Sequence, residues 1–372
     1  MGKIKQFFII IFLSIMLLPS FAEEPKILPS ETGIIQEVNY VDTENSIVQT
    51  KQIARVKLLT GEFKNKECIL ENVLTGNPNY DIKLKKGTKV ILHAEEIDNK
   101  VEYSIEDISR SSTLFWLAFL FCALLIYVGK IKGAFSLISI ALTIMLIYYG
   151  LSPMILAGIN PILSTIIICI LSTFITMYLV GGFNAKSTSA TLGVILSLIS
   201  ACALSAITMS VAHLTGFSGE NTMFLYSAHP ELDFVSIAIS AMIIATLGAV
   251  MDVAMSIAST INEIYINDNS KTVSDLFKSG MNVGKDIIGT MANTLILVYL
   301  GGSLPLLLLA GNIDTHKFFN LNQVVTEIAS AIIGSISIVI CVPLTAITAS
   351  LLISKYARYN KLDISKNCNC DL

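Results

Sequence analysis

The chain divides into an N-terminal part in which polar and apolar residues alternate and a longer part that is almost continuously apolar. In the N-terminal part, five short segments alternate or are rich in β-branched residues, and turns containing Gly, Asn or Pro separate them. This pattern predicts a small β domain over residues 23–110, with a closed or partly open barrel such as an OB fold. The predicted strands are 33–41, 46–59, 66–74, 88–97 and 100–108.

The apolar part consists of runs close to the length of about 20 residues that crosses a bilayer. Seven such runs predict a polytopic transmembrane helical domain over residues 113–354, followed by a polar tail over 355–372. The expected fold class is a mainly α membrane protein with about seven transmembrane helices and a small β-barrel-like domain, surrounded by the lipid bilayer. The predicted spans are 113–129, 134–157, 161–181, 188–214, 234–260, 286–311 and 324–354.

The first 22 residues have the organisation of a secretory signal. Lys3 and Lys5 precede the apolar run 7–18, and residues 20–22 form a small-x-small cleavage motif. The segment is either a signal peptide cleaved after Ala22 or an uncleaved signal anchor helix. Both alternatives place the β domain outside the membrane, so we expect it to be extracytoplasmic.

Charged residues predict the orientation of the other segments. With the β domain outside, the basic loops fall on the cytoplasmic side and the outer loops are acidic apart from Lys317. This distribution satisfies the positive-inside rule and puts the C-terminus in the cytoplasm. The cytoplasmic positions are Lys130, Lys132, Lys186, Lys271, Lys278, Lys285, Lys355, Arg358, Lys361 and Lys366, and the acidic outer positions are Glu220, Glu231, Asp233 and Asp314.

Composition narrows the class of protein further. The 372 residues are 53% hydrophobic and 14% charged, whereas a soluble domain has about 25% charged residues. The net charge of −3 comes without a basic block, so nucleic-acid binding is not expected. Because the sequence has no nucleotide-binding or catalytic motif, it predicts neither an enzyme nor a cofactor.

The cysteines and histidines do not predict a metal site. Four of the seven cysteines lie in apolar helices, and Cys68 is alone in the β domain. The tail motif Cys368-Asn-Cys370 lacks the further ligands that zinc requires. The histidines expected in the outer loops have no recognised ligand spacing, so loop or interfacial histidines are the simpler interpretation.

A stripe of small and polar residues crosses the fifth predicted span, in the segment GAVMDVAMSIASTINE at 248–263. Asp252, Ser256, Ser259 and Glu263 recur at spacings of three and four residues, which places them on one face of a helix. Contact with lipid is unfavourable for these side chains. We therefore expect the stripe to face the interior of the bundle or water.

The sixth predicted span carries a matching series of Asn282, Asp286, Thr290 and Asn293. The two helices run in opposite directions, and Asp252 and Asn293 each lie roughly 16 Å from the cytoplasmic end of their stripe at 1.5 Å per residue. The spacing predicts that Asp252 and Asn293 come within direct or water-bridged hydrogen-bonding reach.

These two stripes predict a binding site within the membrane. The Asp252 carboxylate exchanges a proton, or binds a cation or small solute together with oxygen atoms of Ser256, Thr290 and Asn293. The alternative is that Asp252 and Asn293 only join two helices, since small and polar residues also promote helix packing in membranes.

A second group of charges lies near the cytoplasmic interface. Glu263, Lys285 and Asp286 are candidates for a cytoplasmic-side gate or ion pair. The alternative is a solvated cluster of salt bridges, which contributes little to stability.

The predicted spans also suggest an internal repeat. Spans two to four and five to seven form two three-helix units of opposite orientation, and the middle spans contain YLVGG at 178–182 and YLGGS at 299–303. Inverted repeats of this kind are typical of secondary transporters, with the substrate site at the interface between the repeats.

The segment 248–263, together with GKDIIGTMANTLILVYLGGSLPLLLL at 284–309, resembles the YibE/F-like family of bacterial membrane proteins. The resemblance extends over residues 32–352 and implies a multi-pass protein of the bacterial cytoplasmic membrane with an extracytoplasmic N-terminal domain. It implies little about activity. The family often has Arg before Asp286, where this chain has Lys285, and this weakens any bidentate role there. The signature positions that the resemblance implies are Asp252, Lys285, Asp286, Thr290 and Asn293.

Two functions are compatible with these features. We expect a secondary transporter or permease for a small solute or ion, driven by a proton or cation at Asp252. The alternative is a membrane-anchored extracytoplasmic binding, assembly or regulatory module without transport activity. A transporter should show a polar cavity that reaches Asp252, whereas an anchor should show a tightly packed, dry bundle. A partner protein or a homo-oligomer is compatible with both.

Overall fold

The computed structural model describes residues 30–42, 50–61, 63–77, 81–97 and 100–367. The predicted signal segment at 1–22 and the Cys368-Asn-Cys370 motif lie outside the described residues. The chain forms two compact units, which divide between Tyr127 and Val128.

The N-terminal unit contains the predicted five-stranded sheet. Its strands are β1 (Glu31–Asp42), β2 (Thr50–Leu58), β3 (Glu67–Leu74), β4 (Lys89–Ile97) and β5 (Lys100–Ile108). Hydrogen-bonded neighbours follow the order β3-β2-β1-β4-β5, and all pairs are antiparallel. The edge strands β3 and β5 also contact each other. The sheet is therefore a nearly closed barrel, with the neighbour order of an OB-type barrel.

Alternation along the strands builds the interior of this barrel. On β2, Gln52, Ala54, Val56 and Leu58 are buried, and the residues between them are half-buried or exposed. Successive side chains of a strand point to opposite faces, so one face supplies the core and the other meets solvent. The alternating pattern in the sequence arises from this two-residue period.

Three of the predicted turns depend on glycine. Gly61, Gly76 and Gly87 have φ values of 85°, 84° and 84°, in a region that residues with a Cβ atom rarely adopt. At Gly61 a Cβ atom would also collide with the Glu31 carboxylate. The turns at Gly61 and Gly76 follow β2 and β3, and the turn at Gly87 precedes β4.

A buried polar network holds segment 81–85 against the sheet. Asn72 Nδ2 donates to Gln52 Oε1 at 2.9 Å and to the carbonyl oxygen of Ile82 at 2.6 Å. The backbone N–H of Leu84 donates to the same Gln52 oxygen at 3.1 Å. Gln52 is 0% exposed, and these bonds offset the cost of burying its amide.

The remaining described residues are mostly helical. Within the described part of the chain, six helices are long and apolar enough to cross a membrane, so the chain is a multi-pass membrane protein. A π-helical turn, Leu146–Leu151, joins the first helix to the second. The helices are α1 (Ser111–Met145), α2 (Ser152–Leu156), α3 (Pro161–Gly181), α4 (Ala185–Val211), α5 (Glu220–Ala228), α6 (Phe234–Asn267), α7 (Val273–Gly302), α8 (Leu304–Leu309), α9 (Thr315–Phe318) and α10 (Asn322–Asn367).

The first two predicted spans form one long helical segment with a break. Ser111–Leu156 has 46 residues, which is about 69 Å of helix, whereas the hydrocarbon core of a bilayer is about 30 Å thick. Lys130, at the predicted turn between the two spans, has φ 50° and ψ −131°, which is not helical. The segment is therefore long enough for two crossings that meet at Lys130.

Side-chain caps fix where the later helices begin. The side chains of Asn160, Asn184 and Asp233 accept hydrogen bonds from backbone N–H groups in the first turns of α3, α4 and α6. Thr272 and Asp275 form a capping box at the start of α7. The box starts α7 at Val273, well before the predicted span 286–311. The helix also ends earlier than predicted, at Gly302.

The helical unit is organised around three helices. Helices α4, α6 and α10 contact one another, while α3 packs against α4 and α6, and α7 packs against α6 and α10. Ile243, Ile257, Ile338 and Val342 are 0% exposed in this centre. The close packing of such stiff side chains is what associates helices in a bilayer, where lipid tails are as apolar as the core.

Candidate functional site

Helix α6 has an apolar face that packs in the bundle and an opposite polar face. Ile243, Val250 and Ile257 are 0% exposed and belong to the core of the helical unit. Asp252 and Ser256, the first two predicted site residues, are exposed. The predicted stripe of α6 therefore lies on the outer surface of the described helical unit.

Helix α7 has the same arrangement of faces. Gly280 and Gly284 are buried, and a Cβ atom at position 280 would come within 2.6 Å of Ile261 Cδ1 on α6. Thr290 and Asn293 lie on the opposite face and are exposed. The glycines, not the polar series, thus mark the face on which α7 packs.

The predicted pairing of Asp252 with Asn293 is not found as a direct contact. Among the described residues neither side chain has a hydrogen-bond partner. Of the two expected surroundings, the interior of the bundle and water, the described helical unit does not provide the first for Asp252, Ser256, Thr290 and Asn293, and contact with water or through a water bridge stays a prediction. The physical reason is that Ile and Val side chains and close-packing glycines decide which face packs inward.

The charges of the predicted cytoplasmic-side gate do not form ion pairs with one another. Glu263, Lys285 and Asp286 are exposed, and no salt bridge joins them within the described part of the chain. Their role as a gate or ion pair stays a prediction.

The structure brings together a different set of polar residues, at the contact between α4 and α10. A side chain at Gly193 would collide with Thr345, and the Thr348 hydroxyl donates to the carbonyl oxygen of Ser189 at 3.0 Å. From Gly193 to Ser189 the residue number on α4 falls, while that of the contacting residue on α10 rises from Thr345 to Thr348. The two helices therefore cross antiparallel. We call this contact the α4–α10 seam.

The two helices of the seam repeat each other in sequence. Residues 204–210 read LSAITMS and residues 344–350 read LTAITAS, so five of the seven positions are identical and a sixth exchanges Ser for Thr. In the same alignment, the pattern of buried, half-buried and exposed residues at 191–200 recurs position by position at 331–340.

The contacts of the seam follow this repeat. Ser197 is hydrogen-bonded to Cys341, and the equivalent positions of this pair in the other helix are Ser337 and Ala201. All four residues are 0% exposed. In an interface with two-fold symmetry each contact occurs twice, once in each direction. Here the second copy of the Ser197–Cys341 contact would join Ser337 to Ala201. The antiparallel crossing and the repeat in sequence and burial are those expected of a pseudo-two-fold relation between α4 and α10, and the contact of Ser337 with Ala201 stays a prediction.

The predicted repeat motifs occupy equivalent places beside this seam. YLVGG at 178–182 ends α3 and YLGGS at 299–303 ends α7. Tyr178 donates to the Thr188 hydroxyl on α4 at 3.0 Å, and Tyr299 is hydrogen-bonded to Ser330 on α10. The repeat thus includes the second and third helices of each unit. The first helices of the two units differ: α6 packs at the centre of the helical unit, whereas α1 is joined to α3 by Ser139–Thr176 and Thr143–Ser172 hydrogen bonds.

One carboxylate within a candidate membrane span is not among the predicted site residues. Glu327 is half-buried near the start of α10 and lies within electrostatic range of Tyr299. An acidic residue within the predicted span 324–354 is itself the signal that identifies it. Glu327 lies on neither of the two polar stripes, 252–263 and 282–293, from which the site was predicted.

A small cavity lies between α3, α4 and α6. Only apolar side chains line it, and Asp252 is not among them. The lining residues are Ile166, Cys169, Ile170, Ile195, Leu198, Ile199 and Ile243.

Comparison with known proteins gives matches to two related families. No curated protein and no solved structure matches the chain. Residues 27–108, which include the β domain, match the YibE/F family N-terminal domain. Residues 117–355, which include most of α1, most of α10 and the helices between them, match the YibE/F-like protein family. The chain therefore belongs to the YibE/F-like family, as the resemblance at residues 248–263 and 284–309 predicted.

Proposed function

We propose that this chain is a secondary transporter or permease for a small solute or ion. The observation that carries the proposal is the α4–α10 seam, in which antiparallel helices repeat both sequence and burial. Inverted repeats allow one unit to move against the other about a fixed site, and this is how many transporters alternate their access between the two sides.

The membrane placement that fits this function has seven spans. The segment Ser111–Leu156 crosses twice, with its turn at Lys130, and the β domain is extracytoplasmic. The C-terminus then lies in the cytoplasm of a bacterium, and the basic loops face the same side.

The coupling group in this proposal is the Asp252 carboxylate. A charged carboxylate at the centre of a membrane helix costs roughly 2.5 to 3.5 kcal/mol if lipid surrounds it. Asp252 and the exposed polar series of α7 must therefore meet water, a partner protein or a second copy of the chain. Any of these surroundings lets Asp252 take up a proton or cation with the oxygen atoms of Ser256, Thr290 and Asn293.

One observation favours the alternative of a membrane-anchored binding, assembly or regulatory module. The cavity between α3, α4 and α6 is apolar and small, and it does not reach Asp252. A bundle of this kind resembles the dry packing expected of an anchor, with the extracytoplasmic β domain as the functional part.

The experiment that separates the two functions is thiol labelling across the seam. Met209 on α4 and Ala349 on α10 are equivalent in the repeat, lie near opposite ends of it, and are 2% and 0% exposed. Single Met209→Cys and Ala349→Cys substitutions in an otherwise cysteine-free chain are treated with a membrane-impermeant thiol reagent in intact cells and inside-out vesicles, with and without sodium at two pH values.

A transporter is expected to expose Met209→Cys to the outside in one condition and Ala349→Cys to the cytoplasm in another, with opposite changes. Glu220→Cys and Lys271→Cys in connecting segments serve as labelling controls. If both seam positions stay protected from both sides in every condition, the anchor function replaces the transporter.

A further inference from the structure

Many buried hydroxyl groups of the described helical unit donate to a backbone carbonyl of their own helix. Examples are Thr173 to Cys169 at 2.7 Å, Ser197 to Gly193 at 2.7 Å and Thr246 to Met242 at 2.8 Å. This back-bonding is the usual way in which Ser and Thr are accommodated in membrane helices. It satisfies the donor without any ligand.

Five buried hydroxyls of the described helices have no hydrogen-bond partner. Two of them are Ser164 on α3 and Ser187 on α4, and the other three lie on three neighbouring helices. Thr165 on α3 and Ser205 on α4 are 0% exposed, and Ser240 on α6 is 3% exposed. Among the described residues none of the three oxygen atoms has a hydrogen-bond partner. A buried hydroxyl that is left unpaired costs about 1 to 3 kcal/mol, so three such groups require an explanation.

The three hydroxyls lie within about one helical turn of one another along the bundle. The cavity lined by Cys169, Leu198 and Ile243 fixes which residues of α3, α4 and α6 are level with one another. Thr165 and Ser240 each precede their cavity residue by about one turn, and Ser205 follows Leu198 on the antiparallel helix by about two turns. All three therefore lie on the same side of the cavity, toward the start of α6.

The directions of the side chains bring them closer together. A Cα–Cβ bond in a helix tilts toward the N-terminus of that helix. Thr165 and Ser240 therefore lean toward the layer of Ser205, and Ser205 on the antiparallel helix leans back toward them. Thr165 also lies on the face of α3 that carries Cys169, which belongs to the core shared with α4 and α6.

Two further polar residues, Ser236 and Asp233, lie between these hydroxyls and the N-terminal start of α6. Ser236 lies one turn before Ser240, is 7% exposed, and donates to Asp233 Oδ2 at 2.5 Å. Asp233 is the exposed N-cap residue of α6. This polar series ends in a carboxylate at the surface, which attracts cations toward the buried hydroxyls.

We propose that Thr165, Ser205 and Ser240 form a binding site for a monovalent metal cation. Hydroxyl and backbone carbonyl oxygens are hard ligands, which suit alkali-metal ions better than transition metals. The three side chains carry no negative charge that would balance a divalent ion. The site is separate from Asp252, and it exists whether or not the chain transports a solute.

The test is ion-dependent thermal stability of the full-length chain in detergent. Melting temperature is measured against increasing NaCl or KCl at constant ionic strength, with N-methyl-D-glucamine chloride as the replacement salt. A ligand that binds only the folded state raises the melting temperature, and we expect a saturable rise on the order of 5 °C when the ion concentration is about 100 times Kd.

Matched variants locate the ion. Ser205→Ala and Thr165→Val should each weaken ion binding by roughly tenfold or more, because they remove one ligand oxygen. The controls are Ser197→Ala on α4 and Thr173→Val on α3, which are equally buried but back-bonded and should keep the wild-type response. A pair of variants on each helix separates loss of a ligand from a general effect of removing a buried hydroxyl.

Two results would overturn the proposal. If neither Na⁺ nor K⁺ stabilises the chain beyond N-methyl-D-glucamine, the three hydroxyls hold ordered water and not an ion. If the ion response is the same in Ser205→Ala, Thr165→Val and the two controls, a cation binds elsewhere.

Discussion

A single carboxylate holds one turn of the β domain. Asp81 accepts hydrogen bonds from the backbone N–H and hydroxyl of Thr75 at 2.6 and 2.9 Å and from the N–H of Gly76 at 2.7 Å. The backbone bond from Thr75, helped by the other two, lowers the pKa of Asp81 below its usual value. These bonds close the turn after β3, because the charged carboxylate satisfies two backbone donors that no strand pairs.

We predict that Asp81→Asn destabilises the β domain and removes part of its acid sensitivity. A carboxylate with a lowered folded-state pKa contributes stability above its unfolded pKa of about 3.9, and this contribution disappears as pH falls through the folded value. The melting temperature of the 23–110 domain, followed by circular dichroism from pH 7 to pH 2, checks it. Glu102→Gln, at an exposed carboxylate of β5, is the matched control, because it removes one carboxylate and leaves the hydrogen bonds of the Asp81 turn intact.

Asp252 is the residue for which sequence and structure differ most. Its place in an apolar span and its phase with Ser256 can be read from the sequence. The sequence does not tell which side of the helix packs inward, because a polar stripe and an apolar stripe on one helix are equally regular. The large side chains of Ile243 and Ile257, both 0% exposed, decide the packing, and the sequence analysis gave more weight to the polar face.

We predict that Asp252→Asn leaves the stability of the isolated protomer within about 0.5 kcal/mol of wild type. The carboxylate has no hydrogen-bond partner among the described residues, so the protomer loses no bond when the charge is removed. Chemical denaturation of the purified chain in detergent measures the difference. A loss above about 1 kcal/mol would mean that Asp252 does join helices, as the packing alternative holds.

At the scale of elements, glycine sets the distance between α4 and α10. Gly193 lies against the Thr345 side chain, and a Cβ atom there would approach the Thr345 Cα atom to 3.1 Å and its Cβ atom to 3.0 Å. Small residues allow membrane helices to approach closely, and close approach is a main source of their association. Gly248 on α6, by contrast, is exposed, and a Cβ atom at that position would have no neighbouring atom within 4 Å.

We predict that Gly193→Ala destabilises the helical unit by about 1 to 3 kcal/mol, the usual cost of overpacking. The gain in helix propensity from Gly to Ala, at most about 1 kcal/mol, offsets only part of this cost. Gly248→Ala gains the propensity without the collision and should be neutral or stabilising. Melting temperatures of both variants in detergent check the difference, and equal effects at the two sites would contradict a tight seam.

Elements with strong local signals were predicted well, and elements that depend on tertiary contacts were not. The bounds of α3, Pro161–Gly181, equal the predicted span 161–181, because Asn160 caps one end and Gly182 follows the other. The predicted span begins at residue 286 because the residues before it are charged and a membrane span is expected to be apolar. The helix itself begins at Val273, where the Thr272 capping box starts it. The α4–α10 repeat is present in the sequence, but only the burial of both helices shows that it forms one interface.

At the scale of the whole molecule, neither the composition nor the number of helices determines on which side of the membrane each loop lies. Six helices are long enough to cross a membrane within the described residues, and the break at Lys130 determines whether the first of them crosses once or twice. A single crossing would reverse every later loop relative to the β domain. The basic loops would then lie on the same side as the β domain, which opposes the positive-inside rule.

We therefore predict that Lys130 lies on the cytoplasmic side and that the segment holding Glu220 lies outside with the β domain. Single Lys130→Cys, Glu220→Cys and Lys271→Cys substitutions in a cysteine-free chain are labelled with an impermeant thiol reagent from each side of the membrane. Lys130→Cys and Lys271→Cys should react only from the cytoplasm and Glu220→Cys only from outside. If Lys130→Cys is protected from both sides and Glu220→Cys reacts from the cytoplasm, the first helix crosses once. The seam would then be inverted in the membrane, and Asp233 could no longer draw cations from outside the cell.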